Sequence, residues 1–280
     1  MNPNYFMSRL SFIFIFLFLP SMLAAQSIGP AIAPPPVGSF AAGDAVPSLP
    51  PTSAPVLAPP VSLPRMSAEL ALATYQKQSN RQSQALAGYS AATLIRAELP
   101  ASSQRGEFEL ERRYTAPRSL AFKPLRYEGD GFVKTNVIAR LLQSEVDHVQ
   151  KDDPTSTALG PENYKFSHKG TAQIAGHAVH VFQVKPRKKR PGLFKGQIFL
   201  DAYTGSLVRV EGRVVKSPSL FVKKIDFIQD YADVNGFTFP VRMHSEAKAA
   251  LVGRTVVDIE NRDYQPIPAP LESSTASGSY

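Results

Sequence analysis

The sequence predicts an α+β domain that is mainly β, with a long antiparallel sheet covered by helices. From Tyr164 to Glu260 the chain consists of short runs in which apolar and polar residues alternate, separated by turn residues such as Gly205. Only two segments, Ser67 to Gln82 and Val133 to Gln150, have the character of helices, with no Gly or Pro inside them. Because the strands of such a sheet share one apolar face, helices must cover that face unless the sheet closes on itself.

Each predicted element follows from a local pattern. Ser67 is suited to cap the first helix, and Glu69 lies in its first turn. The second helix has an apolar stripe, whereas Glu145 and Asp147 lie largely off it and are expected in solvent. Apolar residues recur with a period of two in the predicted strands, which are Tyr89 to Leu99, Gly106 to Tyr114, Ala121 to Tyr127, Tyr164 to Lys169, Thr171 to Ile174, His177 to Lys185, Gly196 to Leu200, Leu207 to Val215, Leu220 to Ile228, Phe237 to His244 and Leu251 to Glu260.

The two ends of the chain differ from this domain, which we place at residues 66–265. Residues 1–25 contain one Arg, the apolar run Leu10 to Leu19 and then small residues, which is the layout of a secretory signal peptide. They predict export to the periplasm; the alternative is an uncleaved segment that tethers the protein to the inner membrane. Residues 26–65 are rich in Pro and nearly free of charge, which favours a disordered linker, and residues 266–280 are predicted to be a disordered tail.

The chain carries no motif for catalysis or metal binding. It has no Cys, which excludes disulfides, thiolate metal sites and cysteine nucleophiles. A Gly-x-Ser-x-Gly elbow, a phosphate-binding Gly loop and a His-Glu-x-x-His helix are all missing from the sequence. His177 and His180, the closest histidine pair, point to opposite faces of a strand and do not chelate one ion. We therefore expect no enzyme, no cofactor and no metal site.

The apolar face of the predicted sheet is the candidate ligand site. With only two helices to cover it, this face is expected to leave an apolar cavity for the acyl chains of a lipid or lipoprotein. The alternative is a filled core in a structural or protein-interaction module of the cell envelope. The residues expected to line the cavity are Ile198, Leu200, Val208, Val210, Phe227, Phe237 and Phe239.

A basic loop is the strongest charge feature of a chain whose formal net charge is +8. Its core is Arg187, Lys188, Lys189 and Arg190, flanked by prolines and placed between two strands. It lacks the interleaved aromatic residues of a nucleic-acid site, and export argues against such a partner, so no nucleic acid is expected. Two interpretations stay open: a solvated hairpin tip, or a site that attracts anionic lipid headgroups or an acidic envelope protein.

Two stretches of the meander resemble a known family. "IFLDAYTGSLVRVEG", Ile198 to Gly212, contains an Asp-x-x-Thr-Gly turn, and "DYADVNGFTFPVRM", Asp230 to Met243, has Y-x-x-V-x-G-x-x-x-P spacing that ends at Pro240. With the order of helix, strands, helix and meander, they resemble the LolA/LolB-like superfamily of periplasmic proteins, which includes outer-membrane lipoprotein-sorting proteins and sigma-factor regulator domains. The resemblance covers Ser67 to Tyr264. It implies an open, strongly curved half-barrel around helices, with an acyl-chain cavity. The Pro-rich segment and the basic loop depart from the sorting chaperones, and no residue matches the arginine at their cavity mouth. Pro240 is expected to mark an edge strand.

Overall fold

The computed structural model describes residues 64–151, 154–216, 222–249 and 253–270. These residues form ten β-strands: β1 (Leu86–Leu99), β2 (Gln104–Thr115), β3 (Ser119–Gly129), β4 (Tyr164–Ile174), β5 (His177–Pro186), β6 (Phe194–Asp201), β7 (Leu207–Val214), β8 (Val222–Val234), β9 (Phe237–Ala249) and β10 (Gly253–Pro268). The predicted signal peptide, residues 26–63 of the predicted linker and residues 271–280 of the predicted tail lie outside the described part of the chain.

The strands form one antiparallel sheet in the order β3-β2-β1-β10-β9-β8-β7-β6-β5-β4. The first and last strands in sequence pair with each other inside the sheet, where Ile95 lies opposite Ile259. The edge strands β3 and β4 do not pair with each other, so the sheet is open. Register shifts in several strand pairs mark β-bulges, which bend and twist a sheet. The predicted α+β, mainly β class with a strongly curved, open antiparallel sheet is confirmed.

Helices precede and interrupt the strands. The first helix begins where the sequence predicts it, because the Leu70 N–H donates to the Ser67 hydroxyl over 3.2 Å and caps the helix. The second predicted helix is a composite whose α-helical parts are separated by a π-helical turn, Lys134–Ile138. The α-helices of the described residues are α1 (Ala68–Ala85), α2 (Gly131–Val133), α3 (Ala139–Lys151) and α4 (Pro154–Thr157).

Several strands differ from their predicted limits for local reasons. The two runs predicted on either side of Gly170 are one strand, β4, because a bulge between His168 and Gly170 absorbs the break. The prediction that Pro240 marks an edge strand is wrong, since β9 lies between β8 and β10. The register shifts beside Pro240, between Asp230 and Tyr231 on β8, and such a bulge tolerates the missing N–H.

Apolar side chains of the described residues pack into three clusters. The first lies beneath the composite helix and is formed by Ile95, Ala97, Leu99, Leu110, Val133, Val137, Ile138, Leu141, Leu142, Ile225, Met243, Val257 and Ile259. The second includes the start of α1 and is formed by Ala68, Tyr75, Leu159, Tyr164, Phe182, Val184, Leu193, Phe194, Ile198, Leu200, Leu207, Val210 and Phe227. The third is mainly aromatic and is formed by Leu86, Tyr89, Ala91, Tyr114, Leu120, Phe239 and Tyr264.

Candidate binding surfaces

Most of the residues predicted to line an apolar cavity lie in the second and third clusters. Ile198 and Leu200 on β6 are 0% exposed and Val210 on β7 is 1% exposed. Phe227 on β8 completes this group in the second cluster. Phe239 is 1% exposed in the third cluster, and Phe237 packs against that cluster. The face on which they lie is therefore as dry as the alternation predicts.

Val208 is placed differently from its predicted neighbours. It is half-buried and belongs to none of the three clusters, whereas Leu207 belongs to the second. The register explains this, because Phe199 pairs with Arg209 while Leu200 pairs with Leu207, which leaves Val208 as the extra residue of a bulge. A bulge breaks the period of two that links Val208 to Val210.

Aromatic side chains fill the space beside these residues. In the second cluster the ring of Phe194 lies 5.4 Å from that of Tyr164 and 5.3 Å from that of Phe227. In the third cluster Phe239 stacks on Tyr264 with ring centroids 4.3 Å apart. Rings at these separations are in contact. In both clusters the predicted cavity residues therefore have aromatic side chains of the chain as neighbours.

The Asp-x-x-Thr-Gly turn between β6 and β7 binds α1. Asp201 Oδ1 accepts from the backbone N–H groups of Tyr203 and Thr204, each over 2.9 Å, and this holds the turn closed. The Thr204 carbonyl then accepts from Gln78 Nε2 over 3.2 Å. Gly205 has a φ of +71°, and a Cβ there would lie 2.9 Å from Thr74 Cβ, so only glycine allows α1 to approach this closely. Packing accounts for this motif without a ligand.

The second family-like stretch also binds α1. Gln82 donates to the Thr238 carbonyl over 2.9 Å and accepts from the Thr238 N–H over 2.8 Å, so one side chain satisfies both backbone groups. The Pro240 carbonyl accepts from the Tyr264 hydroxyl over 2.7 Å and from Asn261 Nδ2 over 3.1 Å. This stretch therefore joins α1, β9 and β10.

A buried ion pair, which sequence reasoning missed, connects β2 to α3. Arg112 Nη2 lies 2.9 Å from Glu145 Oε2, with side-chain exposures of 2% and 6%. The Arg112 guanidinium also lies 5.2 Å from the Phe122 ring centroid. Burial raises the pKa of Glu145, and Arg112 counteracts part of that rise. Burial also raises the pKa of Tyr89, which is near both charges, to about 12.

The sequence contained a signal for this pair. Arg112 follows Leu110 at a spacing of two and precedes Tyr114 by two, which places it on the dry face of β2. Glu145 lies four residues after Leu141, on the apolar stripe of the helix. The prediction that Glu145 lies in solvent is wrong, because its carboxylate forms an ion pair with Arg112 inside the core.

The basic loop is fixed at its two arginines and open at its two lysines. Arg187 Nε donates to the Pro161 carbonyl over 2.6 Å, and Arg190 Nη2 donates to Asn163 Oδ1 over 2.6 Å. Lys188 and Lys189 lie between these anchors and are exposed. The arginines shape the loop and the lysines present its charge.

Histidines that are distant in sequence meet near the start of α1. His180 Nδ1 lies 3.4 Å from His168 Nε2, and His180 Nε2 donates to the Met66 carbonyl over 3.0 Å. His177 instead bonds Asp201 Oδ2 over 2.9 Å. In the part of the chain that the structure describes, no three His, Asp or Glu side chains are grouped as metal ligands.

One pocket of the described surface is charged rather than apolar. It has a volume of about 250 Å³, and its acidic residues already have partners: Asp230 with Arg209, Asp258 with His244 and Glu260 with Arg96.

Among the residues that the structure describes, no helix is both long enough and apolar enough to cross a bilayer.

Comparisons with known proteins give similarity at the level of solved structures. No family model and no curated protein sequence matches the chain. An outer-membrane lipoprotein-sorting protein domain from Vibrio parahaemolyticus is 14% identical, and the match covers 74% of this chain and 96% of that one with a TM-score of 0.38. A LolA superfamily protein from Nitrosomonas europaea is 11% identical, with 73% and 96% covered and a TM-score of 0.35. A chain of the MucA/MucB complex of Pseudomonas aeruginosa is 11% identical, with 73% and 100% covered and a TM-score of 0.24.

Proposed function

We propose that this chain is an exported, non-catalytic binding module of the cell envelope, with a filled core beneath its sheet and partners that dock on its exterior. The observation that carries the proposal is the burial of Ile198 and Leu200 at 0% and of Val210 and Phe239 at 1%. Burial of these side chains supports a face that is covered by the chain's own residues rather than by an acyl chain.

An energy comparison supports a filled core over a lipid site. Burying a methylene contributes about 0.8 kcal/mol, which is the usual source of affinity for an acyl chain. To enter the second cluster, however, an acyl chain must first displace protein side chains such as Tyr75 and Phe227, which are already buried. Their exposure costs free energy of the same kind and magnitude, so the net gain is small.

Export rests on the N-terminal sequence. The one Arg, the apolar run and the small residues up to Ala25 have the layout of a signal peptide, and the Pro-rich residues that follow suit a spacer between a membrane or partner and the domain. A periplasmic module with such a spacer reaches partners at a distance while its folded part stays intact.

Lipid extraction from the purified protein tests this function. We expect protein isolated from the envelope of its host to contain no stoichiometric lipid by mass spectrometry, and to leave the signal of a fluorescent fatty acid unchanged. The variant Phe227→Ala is a size control, because a cavity left by one phenyl ring admits benzene but is too small for a fatty acid. Lipid that co-purifies with the unmodified protein at one molecule per chain would overturn the proposal.

A lipid or lipoprotein carrier is the second candidate, and the buried Arg112 favours it. A cation on the dry face of the sheet is able to meet an anionic headgroup if the composite helix with Glu145 moves away. Acyl chains would then extend along the apolar face toward Val210, Phe227 and Phe239. Hydrogen exchange separates the candidates, because a carrier predicts faster exchange in α3 when lipid is added, whereas a filled core predicts no change.

A further inference from the structure

Much of the solvent-facing side of the sheet is balanced in charge. Arg209 Nε on β7 lies 2.6 Å from Asp230 Oδ1 on β8. Arg96 on β1 lies 2.7 Å from Glu107 on β2 and 2.9 Å from Glu260 on β10. Exposed pairs of this kind stabilise a fold little, but they neutralise the surface on which they lie. This part of the exterior offers little net charge to a partner.

The opposite end of the sheet carries lysines instead. Lys165 on β4, Lys185 on β5 and Lys195 on β6 are all exposed. Each follows directly on a residue with 0% exposure, so the alternation of a strand directs each lysine away from the core. Those three buried residues are Tyr164, Val184 and Phe194.

The strand register brings like charges together at this end. Lys165 lies directly opposite Lys185, and Lys195 lies directly opposite Arg213, whose guanidinium forms an ion pair with Asp226 on β8. Val184 is the last residue of β5 that pairs with β6, and its partner is Gly196. Because the strands are antiparallel, the next residue on each strand, Lys185 and Lys195, lies at the same end of this pairing. Like charges that face each other across strands destabilise a sheet. Pairing within the fold therefore does not explain why the three lysines lie together at this end of the sheet.

The basic loop between β5 and β6 adds two more lysines. Arg187 and Arg190 are bound to oxygens of the segment 161–163, whose one acidic residue is Glu162. Lys188 and Lys189 stay exposed, and neither forms an ion pair with another residue of the described ranges. The same holds, within those ranges, for the three strand lysines.

We propose that these five residues, Lys165, Lys185, Lys188, Lys189 and Lys195, form a lysine surface that docks the domain on an anionic membrane. The proposal deepens the proposed function and rests on it, because it names the partner of the exterior. The planar fork of arginine matches carboxylates, but both loop arginines are bound to protein oxygens. Lysine is a mobile point charge that suits phosphate headgroups, which rearrange around it.

The contact is electrostatic and involves no insertion. The large apolar residues that are exposed in the described ranges are Leu70, Leu125, Phe132, Ile228 and Ile267, and none of them lies on β4, β5, β6 or the basic loop. Without an apolar anchor the membrane affinity comes from charge alone, so salt weakens it strongly.

Vesicle flotation of the exported chain tests the lysine surface. We expect binding to vesicles of phosphatidylcholine with phosphatidylglycerol, no binding to phosphatidylcholine alone, and release at high salt. The variant Lys188→Gln/Lys189→Gln should weaken binding about 25-fold, since each lysine near an anionic surface contributes about fivefold. The control Lys77→Gln/Lys123→Gln removes the same charge from α1 and from the opposite edge strand β3, and should weaken binding by less than about twofold.

Three results would overturn the proposal: no flotation of the unmodified chain, equal losses in both double variants, or tighter binding to polyglutamate than to the vesicles. The last result would assign an acidic protein as partner. Uptake of a fluorescent fatty acid is measured on the same samples. Uptake together with normal docking contradicts only the filled core, whereas lost docking without uptake contradicts only the lysine surface.

Discussion

Removal of Glu145 should destabilise the fold far more than removal of an exposed ion-pair partner. In Glu145→Leu the Arg112 guanidinium, 2% exposed, loses the carboxylate 2.9 Å away. An uncompensated buried charge costs about 3–5 kcal/mol. With a urea m-value of about 2–3 kcal/mol/M for a domain of this size, the unfolding midpoint should fall by about 1.5 M. Tyrosine fluorescence reports the transition, because the chain has 10 Tyr and no Trp.

The double variant Arg112→Met/Glu145→Leu isolates the cause. Both charges are then gone, and apolar residues of similar volume replace them, so the stability should return to within about 1 kcal/mol of the unmodified protein or exceed it. Arg96→Met is the matched control, because Arg96 and Glu107 are 46% and 41% exposed and their pair contributes less than about 1 kcal/mol. The reasoning is refuted if Glu145→Leu lowers the free energy of unfolding no more than Arg96→Met does. It is also refuted if the losses of the single variants Arg112→Met and Glu145→Leu add up in the double variant.

Three further substitutions test the attachment of α1 and the turns. Burial acts to raise the pKa of Asp201, but hydrogen bonds from His177, Tyr203 and Thr204 hold the pKa below its ordinary value. Asp201→Asn should therefore lower the free energy of unfolding by about 1–2 kcal/mol above about pH 5, and this loss should shrink as pH falls through the lowered pKa. A loss that stays the same in acid would contradict the argument. Gln82→Ala should lower the free energy of unfolding by about 1–3 kcal/mol and speed hydrogen exchange at the Thr238 amide. The control Gln78→Ala, which loses one exposed hydrogen bond, should lower it by less than about 1 kcal/mol, and equal effects would be evidence against the two-bond contact. Gly205→Ala should destabilise by about 1 kcal/mol more than Gly236→Ala, because both have positive φ but only the Cβ at Gly205 meets Thr74; thermal unfolding measures the difference, and identical midpoints would count against it.

The elements of this fold were predictable and their arrangement was not. Alternation located the strands, and the cap at Ser67 located the start of α1. Strand order is a long-range property: nothing in the local pattern of β1 indicates that Ile95 pairs with Ile259 of β10 as well as with Phe108 of the neighbouring β2. Bulges are similarly invisible, and the one at Val208 shifted a residue off its predicted face. The similarity of two stretches to a known family gave the open, curved shape that local patterns leave undecided.

The charged residues of the candidate site were predictable from the sequence, whereas the choice between a cavity and a packed core was not. The dry face was located correctly through Ile198, Leu200 and Val210, but alternation cannot distinguish a cavity wall from a packed core. The four basic residues of the loop were visible in the sequence, whereas the division into two anchoring arginines and two free lysines depends on the segment 161–163 folding beneath them.

The attachment of α1 sets an order of events for a chain that is synthesised from its N-terminus. Gln78 and Gln82 bind Thr204 and Thr238, which lie 126 and 156 residues later, and Thr93 on β1 reaches Asn261 on β10, 168 residues later. Contacts this distant in sequence form late, because long loops must close first. Helix α1, which precedes every strand, is therefore among the last elements to complete its contacts. Until β9 and β10 arrive, Gln82 lacks Thr238 and Thr93 lacks Asn261, and this is the interval in which a chaperone would protect the chain.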